Sequence, residues 1–520
     1  MGITRLFSSN MGKSSLLAAG AILLCGLACA APPPRVADDS YSKGISSHST
    51  HNTTPSRPSP RPPPVSHTPP ASHAFHAPPP ASVPRGQPMN IPRGPASNVP
   101  RPSVQDAHST WHPPAHPGPG SRSEGRPPPV PYRTYETHPV PAAHDTVRGP
   151  NGSVIHTRAD GSRAEIHDVH RGMDIHYGLN GSRRVFADRA DHSRVFVERG
   201  GHGYVQHPYV FHGQEIAHRT YWEHGHATER FYGGYNYHGV HLEVYAPVRF
   251  YSVGFYHWVY APWVAPVHYV WVWRSSPWYR YYGYYFVPYS AYASAPLWLT
   301  DYLIATSLEA AYAAQVRAQM AAGGAPPLSD EVKDEIADEV KYDVQQEMAE
   351  AQMNVSDPHG VPANGGLDRL LGDGHAHVFV AGSVLDLEDG GGNECVLTPG
   401  DVVQVLAAPA PGAQAVNATV LVSKGGSECT PNGSVRVPLP DLQEMQNYMR
   451  ETVDQGIADL QAKQGTANLP AAPAAAQTAP VSAGFTVGAP PPDPNAAAEI
   501  SAEAAVADQA EREDINEDPQ

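Results

Sequence analysis

Asn180-Gly181-Ser182-Arg183-Arg184-Val185-Phe186, followed at once by Asp191-His192-Ser193-Arg194-Val195-Phe196-Val197, decides how this chain is read. Each segment is a turn dipeptide followed by a short run in which apolar and charged residues alternate. Asn-Gly supplies the positive φ of a tight hairpin turn, and alternation places apolar side chains on one face of a strand. The unit repeats on both sides. Asn151-Gly152, Asp160-Gly161, Arg171-Gly172, Gly200-Gly201 and His212-Gly213 are further turn signals, recurring roughly every ten residues. Val154-Ile155-His156, Ala164-Glu165-Ile166 and Met173-Asp174-Ile175 are further strand candidates. Residues 146 to about 250 therefore read as an antiparallel meander of short hairpins with one face left wet.

Downstream of the meander, Tyr, Trp and Phe make up about two-fifths of residues 250–302. Pro and Gly within the segment forbid a long helix, and the alternation of Tyr269, Trp271 and Trp273 is strand-like. An irregular aromatic layer against the meander follows, and 146–302 is taken as one unit. Trp258, Trp263, Trp271, Trp273 and Trp278 are candidate ligand-binding residues, since sugar C–H faces stack on such rings. Arg274 and Arg280 stand beside them for anionic groups. The competing reading is that the rings pack on one another as a core.

A helical segment is expected over 303–354. Its first helix runs from Leu297 to Ala322, with Thr300-Asp301 opening the helical part. Its second runs from Asp330 to Met353, with Ser329 as N-cap and acidic residues in the first turn. Val332, Ile336, Val340, Val344 and Met348 form one apolar stripe. A linker at 355–366 precedes a small β domain with a C-terminal helix at 367–464. Five strands are expected: 377–380, 384–387, 402–406, 419–422 and 435–437. The run Thr398-Pro399-Gly400-Asp401-Val402-Val403 resembles bacterial SH3-like modules, which implies a small barrel. Leu442, Met445, Met449, Val453, Ile457 and Leu460 mark an amphipathic helix from Leu439 to Lys463. Residues 465–520 are Ala/Pro-rich and then acidic, and read as disordered.

The chain opens with Arg5 and Lys13, an apolar run from Leu16 to Ala30, and the exit Ala28-Cys29-Ala30. This order describes a secretory signal peptide over 1–30; Met11 is an alternative start, and a retained anchor is the competing reading. Ala28-Cys29 also permits lipidation at Cys29, although Gly26 stands where lipoprotein signals usually carry Leu. Residues 31–145 form a Pro/His-rich tract with few large apolar groups, which reads as a disordered, partly polyproline II stalk. No later segment reads as a membrane helix.

The aromatic block, the exported layout and the Ser329-Asp330-Glu331-Val332-Lys333 helix start resemble a group of uncharacterised bacterial exported proteins, over about 250 to 463. That group has no established activity, so the resemblance implies export and no mechanism.

Of four cysteines, Cys25 and Cys29 lie in the signal region, leaving Cys395 and Cys429 in the mature chain. In an oxidising compartment these two are expected to form a disulfide, with unpaired buried thiols or a two-Cys metal site as alternatives. Among 28 histidines, the pairs His224/His226 and His375/His377 are candidate metal ligands, because residues i and i+2 share a strand face. The net charge of −16 argues against a nucleic-acid partner. There is no Gly-x-Ser-x-Gly elbow, phosphate loop or His-Glu-x-x-His helix, and no cofactor is implied. The expectation is a mixed, mainly β, non-catalytic envelope protein whose partner is a cell-wall polymer or an envelope protein. The alternative is a glycan- or metal-binding module of the same compartment.

Overall fold

The computed structural model describes residues 145–516, except 150, 151, 199, 200, 224, 316–326, 359, 361–364, 426 and 427. The expected signal peptide, nearly all of the Pro/His-rich tract, Cys29 and His224 lie outside the described residues.

The meander is present as one ten-stranded sheet. Its strands are β1 (Asp145–Arg148), β2 (Val154–Thr157), β3 (Arg163–Asp168), β4 (Met173–Tyr177), β5 (Arg183–Asp188), β6 (Arg194–Glu198), β7 (His202–Phe211), β8 (Gln214–Glu223), β9 (His226–Tyr237) and β10 (Val240–Ala246). Spatial order equals chain order, and every neighbouring pair is antiparallel. Gly181 turns with φ +76°, a left-handed conformation that its missing Cβ permits. At the next turn His192 takes that role with φ +69°.

Because strands alternate faces, the register builds two continuous rows. Ile155, Ile166, Ile175, Val185 and Val197 are cross-strand neighbours on one face. Phe186, Phe196, Tyr204 and Tyr221 form a ladder on the other, with successive ring centroids 4.9, 5.1 and 5.0 Å apart. The face expected to stay wet is thus lined by half-buried and buried rings.

The aromatic layer follows, with β11 (Arg249–Phe250), α1 (Val253–Tyr260), β12 (Pro262–Val267), α2 (Pro277–Tyr282) and β13 (Tyr292–Ser294). The strand expected around Tyr269, Trp271 and Trp273 does not form. Residues 268–271 are irregular and Val272–Ser275 is a 3-10 turn. Trp271 and Trp273 stack on each other at 5.3 Å instead of alternating across a sheet, so ring packing overrides the local pattern.

Helix α3 (Ala295–Gln315) starts before the expected Thr300-Asp301. Thr300 lies in the helix interior, donating Oγ1–H to the Pro296 carbonyl, and Asp301 is buried. Ser329 caps α4 (Asp330–Ser356) as expected, accepting from the Val332 N–H at 3.3 Å. A short helix α5 (Leu367–Leu370) then leads into a six-stranded sheet. Its strands are β14 (His377–Val380), β15 (Leu385–Asp389), β16 (Glu394–Leu397), β17 (Val402–Val405), β18 (Ala415–Val422) and β19 (Ser434–Pro438), in spatial order 14-17-18-19-15-16. The strand absent from the five expected, β16, carries Cys395.

Helix α6 (Leu439–Lys463) ties the two sheets together. Its six expected apolar positions are all buried, but so are Gln443, Asn447, Arg450 and Asp454 on other faces. α6 packs against β10, β14, β19, α3 and α4. A Cβ on Gly456 would stand 2.6 Å from Leu299 Cδ2, so glycine is what lets α6 approach α3 this closely. One continuous apolar core runs from Ile216 to Phe485 through both sheets.

The reading of 465–516 as disordered is corrected. Phe485 is fully buried against Phe231, β20 (Val481–Ser482) pairs with β11, and α7 (Ala496–Asn516) lies on the first sheet. Ala496, Ile500, Ala507 and Ala510 cover the row of Ile166, Ile175, Val185 and Val197. The composition is poor in large apolar groups, yet the tail meets an apolar face already built by the meander. Small side chains are enough to seal it.

Candidate functional site

Cys395 and Cys429 form a disulfide. Cys395 stands on β16, and the Cys429 N–H donates to the Val396 carbonyl at 2.9 Å, which holds the second cysteine beside the first.

The candidate tryptophans fall into two ring groups: Trp258 stacks on Trp263 at 6.2 Å, while Trp271, Trp273 and Trp278 pack in series. Trp263, Trp271 and Trp278 are 8, 5 and 3% exposed, while Trp258 and Trp273 are half-buried. Trp271 stacks on Trp298 at 4.8 Å, and Trp273 packs on Trp278 at 5.1 Å. The Trp271 Nε1–H donates to the Tyr292 hydroxyl at 2.6 Å, and that hydroxyl donates to Asp301 Oδ2 at 2.6 Å. A sugar must find an open ring face, and the buried rings offer none. Trp298, fully buried at the centre of this stack, was not among the candidates. Its helical spacing to Tyr302, whose ring it meets at 5.6 Å, was the available signal.

Of the first histidine pair only His226 is described, and in the second pair His375 and His377 both reach Asp373 Oδ1. His226 is exposed at the start of β9. His375 is exposed, while His377 is buried with both ring nitrogens engaged: Nδ1 with Glu339 Oε2 at 3.0 Å and Nε2 with Asp373 Oδ1 at 3.1 Å. Burial by itself lowers the His377 imidazole, but the Glu339 and Asp373 carboxylates outweigh it and push it up to about 9. Such an imidazolium donates from both nitrogens and has no lone pair for a metal. Among the described residues, no group of three or more His, Cys, Asp and Glu side chains is placed to hold a metal ion.

Buried charge is the feature that sequence reasoning missed. Beside its apolar stripe, α4 buries Glu339, Asp343, Glu347 and Glu350. The four-residue spacing of the first three was visible, but such a stripe normally reads as a solvated face. Arg450 of α6 donates to Glu350 Oε2 at 2.6 Å and to the Tyr245 carbonyl at 3.0 Å. The Tyr256 hydroxyl donates to Glu347 Oε1 at 2.6 Å. Burial, with Glu339 nearby, holds the Asp343 carboxyl well above the usual range. Burial, with Asp454 nearby, does the same to Glu347. A second knot surrounds Arg219, which donates to Gln206, Glu243 and Glu444 and lies 4.0 Å from the Tyr232 ring centre. Apart from the part-exposed Glu444, these groups are shielded from solvent, and they tie α4, α6 and the first sheet together.

A shallow groove on the second sheet is lined by Leu406, Ala408, Pro409, Ala415, Asn417 and Thr419, among others, and carries no ionisable side chain. Lys424, Asp401 and Glu428 form a third buried cluster, beneath Tyr285.

Comparison with protein-family models, with curated proteins and with solved structures finds no match for this chain.

Proposed function

We propose that this protein is an exported, non-catalytic structural or interaction protein of a bacterial-type cell envelope. The observation that carries the reading is the Cys395–Cys429 disulfide, since such bonds persist in oxidising compartments. The charged and apolar N-terminus, with its small-residue exit at Ala28-Cys29-Ala30, supports the same compartment. No helix among the described residues is long and apolar enough to cross a membrane, which is compatible with this reading. The resemblance to uncharacterised exported proteins supports it too. Within this reading the 377–438 sheet is an SH3-like interaction module, supported by the Thr398–Val403 run. Its partner is a cell-wall polymer or another envelope protein. The protein is held by a lipid at Cys29 or released after cleavage.

Fractionation of cells expressing a tagged full-length copy, with N-terminal sequencing and thiol alkylation, tests this. The expected result is recovery outside the cytosol, without the first 28 to 30 residues, and with Cys395 and Cys429 resistant to alkylation until reduction. Recovery in the cytosol with Met1 retained and both thiols free overturns it.

A further inference from the structure

Asp401 follows the Pro399-Gly400 turn at the start of β17, Lys424 lies just beyond β18, and Glu428 immediately precedes the disulfide cysteine Cys429. All three side chains are buried, at 0, 3 and 7% exposure. The Lys424 Nζ donates to Asp401 Oδ1 and lies 3.8 Å from Glu428 Oε1. The other Asp401 oxygen, Oδ2, accepts from the Thr398 N–H at 2.6 Å and from the Thr398 hydroxyl at 3.2 Å. Thr398 Oγ1 is also 2.6 Å from Glu428 Oε1, while Glu428 Oε2 is buried without a hydrogen-bond partner. Tyr285 closes the cluster, with its ring centre 5.7 Å from Nζ and its hydroxyl donating to the Gly400 carbonyl at 3.1 Å.

The cluster holds one amine and two carboxylates in an apolar interior. Burying the charged forms is costly there, and transfer of the proton that Nζ donates to Oδ1 leaves an amine and an acid that are both neutral. In keeping with this, burial pushes the Asp401 carboxyl up to about 7, although Lys424 pulls the other way. A neutral amine is a nucleophile, and a neutral carboxylic acid has a hydroxyl that can leave. The two are held in contact by two fixed strand ends, which replaces an encounter in solution by a fixed geometry.

We propose that Lys424 and Asp401 condense into an intramolecular isopeptide bond, with Glu428 carrying the proton between them. The Nζ lone pair attacks Asp401 Cγ and the C–N bond forms. The developing charge on Oδ2 is met by the Thr398 N–H that already points at it. Glu428 takes a proton from the nitrogen and delivers it to Oδ1. The Cγ–Oδ1 bond then breaks and water leaves. The products are one secondary amide and one water molecule, and no oxidant, nucleotide or metal is consumed. The amide is neutral, so the reaction removes a buried ion pair. It also closes a loop between β17 and the end of β18 that no reductant can open, next to a disulfide that a reductant can.

Mass spectrometry of the folded, full-length protein tests this. After reduction of Cys395–Cys429, the wild-type chain is expected to weigh one water less than its sequence. Trypsin is expected to spare Lys424 and to yield one branched peptide that joins it to Asp401. Lys424→Arg and Asp401→Ala are expected to restore the full mass. Glu428→Gln keeps the amine and acid in place, and is expected to fold with its disulfide formed, to lack the branched peptide and to have the full mass. A folded wild-type chain of full mass, cleaved normally at Lys424, overturns the proposal. So does a missing water that maps to an Asp-Gly or Asn-Gly succinimide. If Glu428→Gln does not fold, the branched peptide in the wild-type digest still decides.

Discussion

Arg450 on α6 and Glu350 on α4 form an ion pair at 2.6 Å in which both side chains are more than nine-tenths buried. Three further carboxyls, Asp343, Glu347 and Asp454, are buried around it. The guanidinium is the cation on which this acidic layer depends, and it also carries the Tyr245 carbonyl of the first sheet. Replacing one partner of such a pair leaves the other buried and uncompensated. Arg450→Met is therefore expected to cost about 3–5 kcal/mol in chemical denaturation. Arg450→Met with Glu350→Gln is expected to recover part of that loss. A single variant as stable as wild type would show that the layer does not depend on Arg450.

Stability is expected to fall as pH rises from about 5 to about 9. Burial, with Asp174 nearby, pushes the Glu165 carboxyl up to about 8, and burial pushes Asp454 and Asp301 up to about 6. Carboxyls whose folded values are raised release protons on unfolding. Their contribution is whole below the unfolded value and is lost as pH rises through the folded value. His377, raised to about 9, acts in the same direction, with its loss beginning above the ordinary imidazole value. Thermal melts across this range check the sign. Glu165→Gln is expected to flatten the segment approaching pH 8. A melting temperature that climbs with pH would contradict the argument.

The disulfide spans 34 residues of sequence, and its removal is expected to cost about 3–4 kcal/mol in the chain-entropy model. Cys429→Ser measured with and without reductant checks this: reductant should destabilise the wild type and leave the variant unmoved.

Helix α7 is held by a thin seam of small residues and by ion pairs from Arg171, Arg183 and Arg189 to Glu513, Glu511 and Glu499. These pairs are part-exposed and screened by salt, so each holds the helix only weakly. Truncation after Pro494 is expected to uncover Ile166, Ile175, Val185 and Val197 and to raise binding of a hydrophobic dye. Charge reversal by Arg183→Glu alone is expected to loosen α7 without unfolding the sheet, as read by faster amide exchange confined to 496–516. Unchanged dye binding after truncation would mean that the row is sealed by something else.

Trp271→Ala is expected to cost about 3–5 kcal/mol, because it opens a cavity between Trp298 and Trp273 and leaves the Tyr292 hydroxyl without its Trp271 partner. Loss of cell-wall polymer binding in this variant, with its stability unchanged, would instead revive a ligand-binding role for the ring.

Much of the architecture was legible locally. The hairpin units around Gly161, Gly181 and His192, the Ser329 cap and the α6 apolar stripe each depend on residues a few positions apart. Such residues are in contact whatever the rest of the chain does. The cysteine pairing was legible too, because only Cys395 and Cys429 lie beyond the first 30 residues. The aromatic block was legible as a choice between core and ligand surface. The choice itself needed the packing of the rings, since Trp271 and Trp298 stack only once the chain folds back on itself.

By itself, the sequence determined the alternation, the turns and the helix faces, since these follow from side-chain period and backbone sterics. Tertiary structure alone decided which surfaces were covered. The acidic face of α4 looks solvated in isolation and is buried because α6 brings Arg450 to it and β14 brings His377. The alanine-rich tail looks too apolar-poor to fold and is ordered because the meander supplies the face it lacks. Burial is a property of pairs of surfaces, and one-dimensional pattern describes only one of the two.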